Sequence, residues 1–312
     1  MNEPNTALQI TPKRLGQISM DSYCPRCYWY LLKQKFHPPF DHFGGAIFSN
    51  MESAQMAIVG DLLEQNGELP KEFHPFCDLT SRVAFPRHWS KFRHTLESDV
   101  VLYGVPDDIF EVSDGSIAVI DFKTAQPRGA EDPFLPCYEL QVIGYAYIAE
   151  FGLKLGEVSK AGLFYWGAEH KKVVSEPGKF YRSQQLWMPF TPKPHAIEID
   201  YSLLDAPLKE AGRLWKAKTP PERSENCKDC MKLDALFALE AAVENQLGVS
   251  DRAILAGSGH NGWAVQLIAR REFHNLVARH SALLNLRDEA NDLTFSEHGM
   301  VANWEVFNDH GF

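Results

Sequence analysis

The chain contains 312 residues, of which 45% are hydrophobic, and carries a formal net charge of −10 at pH 7. This length and composition suffice for one elaborated α/β domain with a large core and an appendage. No apolar run is long enough to predict a membrane span. The acidic balance excludes nucleic-acid binding by overall charge, so basic contacts to such a partner must be concentrated locally.

Two Cys-x-x-Cys pairs lie about two hundred residues apart, Cys24 with Cys27 and Cys227 with Cys230. A two-residue spacer lets both sulfurs reach one metal, and two such pairs complete a tetrahedral thiolate set. No secretory signal is visible, so we expect a cytoplasmic protein with reduced thiols rather than disulfides. The remaining cysteines, Cys77 and Cys137, are predicted to be small hydrophobic residues.

Helices and strands are predicted to alternate between the two cysteine pairs. In chain order these are a helix at 49–65, strands at 82–85 and 99–103, a hairpin, a helix at 138–151, strands at 160–166 and 196–201, and a helix at 203–216. Apolar residues recur at helical spacing in 138–151, which predicts a helix packed on the sheet. Prolines and charges at 218–223 indicate a linker into the second cysteine pair.

Residues 79–96 contain no acid, and their cations alternate with aromatic residues. Such interleaving suits a single nucleic-acid strand, with stacking of about 1–3 kcal/mol per base. An equally open interpretation is a surface element whose aromatic residues belong to the core. The candidate DNA-binding residues are Arg82, Arg87, Trp89, Lys91 and Arg93.

The hairpin at 104–124 is the most informative segment of the sequence. Its two flanks are rich in β-branched and aromatic residues and are joined through Ser113-Asp114-Gly115, a strong turn signal. With the turn centred on Asp114, Asp107 lies opposite Asp121, with Cβ atoms about 5 Å apart. Side chains alternate along a strand, so Lys123 projects on the same face as Asp121.

Two facing carboxylates repel each other unless a cation lies between them. Oxygen ligands suit Mg²⁺ or Mn²⁺, which keep waters and accept phosphate oxygens, so the pair predicts phosphodiester chemistry. The metal would activate a water, and Lys123 would orient the nucleophile or stabilise charge developing on the phosphorus. The alternative is a solvated hairpin whose acids and lysine only keep a sheet edge soluble.

These residues resemble the signature of the PD-(D/E)XK nuclease superfamily, in particular its RecB-like exonuclease branch, which includes the nucleases of CRISPR adaptation. Pro106-Asp107 and Asp121-Phe122-Lys123 are similar to the signature itself. Gly104 matches the first position of the Gly-x-x-Asp pattern of that branch. Its helical Gln-x-x-x-Tyr pattern is matched by Gln141 and Tyr145, which share a helix face and could both reach a phosphate or base near the metal.

The branch also tends to carry a metal-binding His in an upstream helix, and this sequence departs from that pattern with Phe48 at the corresponding position. We consider three residues of the same helix as substitute metal ligands. These are Asn50, Glu52 and Glu64, of which Glu52 is retained as a candidate Mg²⁺ or Mn²⁺ ligand beside Asp107 and Asp121.

The resemblance implies a restriction-endonuclease-like α-β-β-β-α-β core with a mixed central sheet. It implies a metal-dependent deoxyribonuclease, an exonuclease on single-stranded DNA or frayed ends that serves repair, recombination, or CRISPR or phage defence. The alternative is a catalytically weak DNA-binding or assembly subunit that retains the fold. It also implies an iron–sulfur cluster (4Fe-4S) at the four cysteines, although many relatives use one early and three late cysteines, so zinc stays open.

The predicted domains are a nuclease domain at 1–232 and a helical extension at 233–312. Helices are expected at 235–247 and 263–286, separated by a glycine-rich loop, and the stretch from Asp288 onward is an acidic tail. Such tails are usually solvated or bind a partner. We expect the extension to dock another protein or a second copy of the chain.

Overall fold

The computed structural model describes residues 7–33, 46–96 and 100–247. The strands are β1 (Gln9–Ile10), β2 (Leu79–Arg82), β3 (Arg93–Thr95), β4 (Val101–Tyr103), β5 (Asp108–Val112), β6 (Ile117–Lys123), β7 (Val158–Ala168), β8 (Tyr181–Arg182), β9 (Gln185–Leu186) and β10 (Phe190–Ile197). The helices are α1 (Pro12–Gly16), α2 (Pro25–Lys33), α3 (Ala46–Asn66), α4 (Leu135–Tyr147), α5 (His170–Ser175), α6 (Pro177–Phe180), α7 (Asp205–Lys216) and α8 (Lys228–Leu247). A π-helical turn, Ile148–Gly152, extends α4.

A five-stranded mixed sheet forms the centre of the fold, in the order β10-β7-β6-β5-β2. Strands β5 and β6 form an antiparallel hairpin, whereas β6 and β7 are parallel and are connected through α4. A parallel pair needs such a crossover, because a short turn can join only antiparallel strands. The chain order α3, β2, β5, β6, α4, β7 is the predicted α-β-β-β-α-β order, and the predicted α/β class with a mixed sheet is confirmed.

The hairpin has the predicted register. Asp108 pairs with Ile120, and the following pairs continue without a bulge. Gly115 in the turn has a φ of +88°, a conformation that glycine adopts without steric cost. The register therefore carries Asp107, which directly precedes β5, opposite Asp121.

Side chains of β6 alternate between two separate hydrophobic cores. Ile117 and Val119 face a core that includes α1 and α4. Ile120 and Phe122 face the other core, which includes α3. Burying each such side chain is worth about 1.5–3 kcal/mol relative to exposure. Both faces of β6 are therefore covered, and the strand provides a rigid base for the residues at its end.

Two glycines allow α1 to pack closely on α4. A Cβ added at Gly16 would lie 2.4 Å from the carbonyl oxygen of Cys137. A Cβ added at Gly144 would lie 2.7 Å from the side chain of Pro12. Interiors are packed too densely to absorb such overlaps without moving an element, so a larger residue at either position would push α1 away from α4.

Two predicted strands lie elsewhere than the sequence placed them, and β2 is the first. It ends at Arg82, where the predicted strand 82–85 began. Beyond it, Val83 still donates a hydrogen bond of 2.9 Å to the carbonyl of Ile109. Pro86 follows shortly afterwards and lacks the N–H that a longer strand would use.

The second displaced strand is β10, which covers Phe190–Ile197 instead of the predicted 196–201. Pro192 and Pro194 lie within this strand and have no N–H to donate to a neighbouring strand. Among the described strands, β10 pairs with β7 alone and so lies at the edge of the sheet, a position that tolerates proline. The strand stops before Tyr201 because Asp200 caps a 3-10 turn, with its Oδ1 accepting from the N–H of Ser202 at 2.9 Å.

The chain divides into a unit that spans Met1–Cys230 and a second unit, Met231–Phe312. The helix predicted at 235–247 is part of α8. The helix predicted at 263–286 and the acidic tail lie outside the described residues. Within the described ranges, no helix combines the length and the apolar character needed to cross a membrane.

Candidate active site and cysteine cluster

The two predicted carboxylates meet at the end of the hairpin. The Oδ2 of Asp107 accepts a hydrogen bond of 2.6 Å from the backbone N–H of Phe122. Asp121 lies in β6 and is 2% exposed. Residues directly opposite each other on paired strands share one face, so the sheet itself positions both acids.

The electrostatics of the pair call for a cation. Burial raises the pKa of Asp107 well above its usual range, and the charges of Asp121 and Glu52 raise it further. The N–H of Phe122 and the ammonium of Lys123 act in the opposite direction but do not offset the rise. Three carboxylates gathered in a poorly solvated place form an oxygen-rich site that a divalent cation would stabilise.

Lys123 and Gln141 form a hydrogen-bonded set with Asp121. The ammonium of Lys123 is ion-paired with Asp121 Oδ2 and donates to Gln141 Oε1 at 3.3 Å. The amide nitrogen of Gln141 donates to Asp121 Oδ1 at 2.9 Å. Burial alone would lower the pKa of Lys123, but the charge and hydrogen bond of Asp121 outweigh it and raise the pKa. Gln141 is 5% exposed, so its side chain holds the acid and the lysine in place away from solvent.

Tyr145 lies one turn beyond Gln141 on α4 and is also buried. Burial raises the pKa of its phenol, while a hydrogen bond with Gln141 lowers it in part. A Cβ added at Gly104 would lie 2.8 Å from the ring of Tyr145 and 3.6 Å from Pro12. Gly104 of the Gly-x-x-Asp pattern is therefore in contact with Tyr145 of the Gln-x-x-x-Tyr pattern. This contact leaves no room for a side chain at position 104.

Helix α3 supplies polar groups to the other side of the acids. Glu52 is half-buried, and its charge acts on both Asp107 and Tyr145. One turn later, the buried amide of Gln55 donates to Thr124 Oγ1 at 2.8 Å. Its Oε1 is buried and has no hydrogen-bond partner among the described residues. A buried, unpaired acceptor of this kind is costly unless a ligand or water satisfies it.

The three substitutes for the upstream His differ in position. Asn50 and Glu64 are exposed on α3, whereas Glu52 is half-buried and interacts with Asp107. Of the three candidates, Glu52 is therefore the one that interacts with the hairpin acids. The side chain of Phe48 lies outside the described part of the chain.

A third acid, Asp108, was not predicted as a functional residue. It forms ion pairs with two of the predicted DNA-binding residues, Arg82 and Arg87. It is 0% exposed and projects to the opposite face of the sheet from Asp107. Arg82 and Arg87 each form an ion pair of 2.7 Å with it. Arg87 also donates to the backbone carbonyl of Asp107. These arginines neutralise a buried carboxylate and brace the start of β5.

The other predicted DNA-binding residues lie nearer the solvent. Trp89 and Lys91 are exposed, and the ring of Trp89 makes an edge contact with Tyr103 at a centroid distance of 5.6 Å. Arg93 is half-buried in β3. Their contact with DNA stays a prediction.

The four predicted cysteines converge at the start of two helices. Cys24 and Cys27 flank the first turn of α2, and Cys227 and Cys230 flank the first turn of α8. All four sulfurs lie within 4.8 Å of one another, with separations of 3.2, 3.4 and 3.6 Å for the pairs in van der Waals contact. Cys77 lies outside the cluster.

The thiols differ in their acidity. Burial opposes ionisation of Cys24, but hydrogen bonds from the backbone amides of Cys27 and Ser224 lower its pKa to about 6. Burial raises the pKa of Cys230 to about 12. Converting all four to thiolates would therefore require a cation among them, because thiolate is the metal-binding form.

Direct contacts also join the chain segments around the cluster. Tyr23 donates to Glu210 Oε1 at 2.6 Å, and Trp29 donates to the carbonyl of Ala217 at 3.0 Å. Ser224 donates its hydroxyl proton to the carbonyl of Tyr23 at 3.0 Å and its N–H to the sulfur of Cys24 at 3.3 Å. The cluster thus lies inside an interface that side chains also hold.

A buried acid, a half-buried acid and a lysine lie at the end of a hairpin on a mixed sheet covered by helices, an arrangement typical of a phosphodiesterase. The sequence profile of the PD-(D/E)XK nuclease superfamily matches residues 41–232, well over half of the chain. The protein therefore belongs to the PD-(D/E)XK nuclease superfamily. Membership implies a nuclease that hydrolyses phosphodiester bonds of DNA, in a family that usually uses divalent metals.

No curated protein shows significant sequence similarity to the chain. Among solved structures, the chain is similar to SSO0001, with 14% sequence identity and a TM-score of 0.31, over 70% of this chain and 81% of the other. A similarity at this level carries no functional argument.

Proposed function

We propose that this protein is a metal-dependent deoxyribonuclease that acts as an exonuclease on single-stranded DNA or DNA ends. The observation that carries the proposal is the hydrogen-bonded set of Asp121, Lys123 and Gln141, with Asp107 opposite Asp121 on the hairpin. A hairpin edge that serves only solubility would leave its acids and lysine in water. Here Asp121 is buried and Asp107 is half-buried, so neither acid serves the solubility of a sheet edge.

Asp107, Asp121 and Glu52 are the residues that would hold the divalent ion. Carboxylate oxygens are the ligands that Mg²⁺ and Mn²⁺ prefer. The raised pKa of Asp107 supports a cation among these acids, since it records unrelieved repulsion and burial. When bound, such an ion polarises the scissile phosphate and acidifies a water.

The chain's own groups then position the substrate. The ammonium of Lys123 carries the positive charge next to Asp121, where it can hold a phosphate oxygen and stabilise charge that develops on it. Gln141 keeps the lysine and the acid in fixed relative positions through its two hydrogen bonds. Tyr145, packed against Gly104, keeps α4 close to the hairpin. The side chains that act on the phosphate are thus held before substrate arrives.

The assignment to the RecB-like exonuclease branch is part of the proposal. It is supported by the contact between Gly104 and Tyr145 and by the bonds that Gln141 makes to Asp121. The residues of both patterns therefore lie at the same site. The pathway, whether repair, recombination, or CRISPR or phage defence, is inferred from the same resemblance.

The test is cleavage of end-labelled single-stranded and double-stranded DNA in Mg²⁺ or Mn²⁺, with EDTA as the metal-free control. Asp121→Asn removes a charge from the site and keeps the side-chain shape. The matched control is Glu111→Gln, because Glu111 is an exposed acid of the same hairpin. Metal-dependent shortening that Asp121→Asn abolishes and Glu111→Gln retains supports the proposal. DNA binding without cleavage would favour the DNA-binding or assembly subunit.

We also propose that the four cysteines hold a structural metal centre. A zinc–sulfur bond of about 2.3 Å sets a tetrahedral sulfur–sulfur edge of about 3.8 Å. The sulfur separations of 3.2–3.6 Å between contacting thiols are near that value. This spacing favours one tetrahedral ion, such as Zn²⁺, over the 4Fe-4S cluster that the resemblance implies.

Metal analysis of protein purified without oxygen tests the centre. One zinc per chain is expected, whereas iron with acid-labile sulfide would identify a cluster. Cys227→Ser should lower the melting temperature sharply, because a structural metal of this kind contributes roughly 10 kcal/mol of apparent folding free energy. Cys77→Ser is the matched control, since Cys77 lies outside the four-thiol group. An unchanged melting temperature in Cys227→Ser would contradict a structural role.

A further inference from the structure

We propose that Phe134 and Tyr138 form a nucleobase subsite beside Lys123, an inference that rests on the proposed nuclease function. The two residues lie one turn apart at the start of α4. Their rings are stacked, with centroids 6.1 Å apart and planes inclined by 24°. Phe134 is 49% exposed, whereas Tyr138 is half-buried. The pair therefore presents the ring of Phe134 to solvent and keeps the ring of Tyr138 half-buried.

The half-buried member of the pair, Tyr138, contacts the active site. The ammonium of Lys123 lies 4.4 Å from the centroid of the Tyr138 ring, a cation–π contact. Lys123 is in turn ion-paired with Asp121. An unbroken series of contacts thus runs from the exposed ring of Phe134 to the catalytic acid. A base that flanks a phosphate held by Lys123 lies within reach of that ring.

The position of Phe134 is fixed by its backbone. Asp132 is nearly buried, its Oδ1 accepts from the N–H of Phe134 at 3.0 Å, and its carbonyl accepts from the N–H of Leu135 at 3.0 Å. Phe134 itself is the N-cap of α4 and makes no capping hydrogen bond, although Ser, Thr, Asp and Asn are favoured there. Helix stability does not account for an aromatic residue at this position.

A lone exposed aromatic residue is common on protein surfaces and needs no explanation. Phe134 differs because its ring is stacked on a second ring that contacts Lys123. Nucleobases stack on aromatic side chains in a manner that tolerates any sequence, because every base has a π-face. Within a duplex both faces of a base are covered by its neighbours. The subsite therefore takes an unpaired base, which would give the nuclease its preference for single strands and frayed ends.

A double-mutant cycle between the ring and the base tests the subsite. End-labelled single strands carry either a normal nucleotide or an abasic analogue at each position next to the cleaved bond. Phe134→Ala removes the ring, and Phe134→Trp restores an aromatic surface. The matched control is Phe151→Ala, because Phe151 is 44% exposed at the other end of the same helical segment. Thermal melts establish that all variants fold.

We expect Phe134→Ala to lower kcat/KM about tenfold on normal strands, in line with the loss of one stacked base. Phe134→Trp should retain activity within about threefold, and Phe151→Ala should match the wild type. An abasic nucleotide at one flanking position should cost the wild type the same tenfold and cost Phe134→Ala nothing more. Independent losses that multiply, or normal cleavage by Phe134→Ala, would overturn the proposal.

The subsite can be tested even if the nuclease function fails. When wild-type protein binds a strand without cleaving it, the same cycle is measured in dissociation constants by fluorescence anisotropy in EDTA. Coupling between ring and base in that assay would support the subsite. The missing cleavage would then refute only the proposed nuclease function. Loss of all DNA binding would refute both proposals.

Discussion

Removing both arginines from Asp108 should destabilise the protein more than removing the charge of Asp108 itself. The carboxylate is 0% exposed, whereas the side chains of Arg82 and Arg87 are 37% and 46% exposed. Arg82→Gln combined with Arg87→Gln leaves a buried charge with no cationic partner. Asp108→Asn lets the arginines turn towards water, and the amide oxygen can still accept from the N–H of Ile109.

The expected magnitudes follow from this asymmetry. Leaving a buried ion without its partner costs about 3–5 kcal/mol, and we expect about 3 kcal/mol because solvent screens the half-exposed arginines. Replacing the acid by its amide should cost about 1 kcal/mol, the net value of one hydrogen bond. For a unit of this size each kcal/mol shifts the melting temperature by about 2–4 °C. The double variant should therefore melt roughly 6–12 °C lower, and Asp108→Asn about 2–4 °C lower.

Thermal melts followed by circular dichroism, repeated with urea, measure both effects. Lys71→Gln combined with Lys91→Gln is the matched control, because it removes the same charge from two exposed positions. Its melting temperature should stay within about 2 °C of the wild type. If Asp108→Asn melts lower than the double arginine variant, solvent access to the arginines does not govern the cost and the reasoning is wrong.

Three further predictions concern the site. Gly104→Ala places a methyl group 2.8 Å from the ring of Tyr145. It should lower the free energy of unfolding measured in urea by about 1–3 kcal/mol and should also lower the cleavage rate. An unchanged free energy of unfolding would mean that the Tyr145 ring moves aside without cost. Gln141→Leu keeps the side-chain volume but removes two hydrogen bonds. In steady-state assays kcat should therefore fall about 10- to 100-fold with little change in KM. A rise in KM alone would instead place Gln141 in substrate binding. Lys91→Glu should weaken single-strand binding and reduce its salt slope by about one while the melting temperature holds; an unaltered slope would remove Lys91 from the DNA path.

The hairpin could be predicted in detail because its signals are local. The turn at Asp114 and Gly115 fixes the register, and the two-residue period of a strand then decides which side chains meet. The facing of Asp107 and Asp121 followed from these two rules alone. The partner of Asp108 could not be found this way, because Arg82 and Arg87 arrive from a different strand and from the segment that follows it.

Other features depend on tertiary position and left no clear trace in the sequence. The sequence placed a strand at 196–201, whereas β10 covers Phe190–Ile197 and includes two prolines, which its place at the sheet edge tolerates. Arg82 and Arg87 belonged to a pattern of cations and aromatic residues that left DNA contact and a surface element with core aromatic residues equally open, and only the structure shows that both arginines pair with a buried acid. The stack of Phe134 on Tyr138 has the spacing of any helical pair, so its link to Lys123 was visible only in the structure.

The convergence of Cys24 and Cys230 has a mechanical consequence. With a metal bound, the two pairs of thiols close a loop that contains the whole five-stranded sheet. When the two ends of the chain outside that loop are pulled apart, the metal–sulfur bonds carry the force, and the strands of the sheet inside the loop do not. Tension therefore reaches the hairpin with Asp107 and Asp121 only after those bonds have parted, and a force-extension trace should show one high-force rupture that a chelator removes.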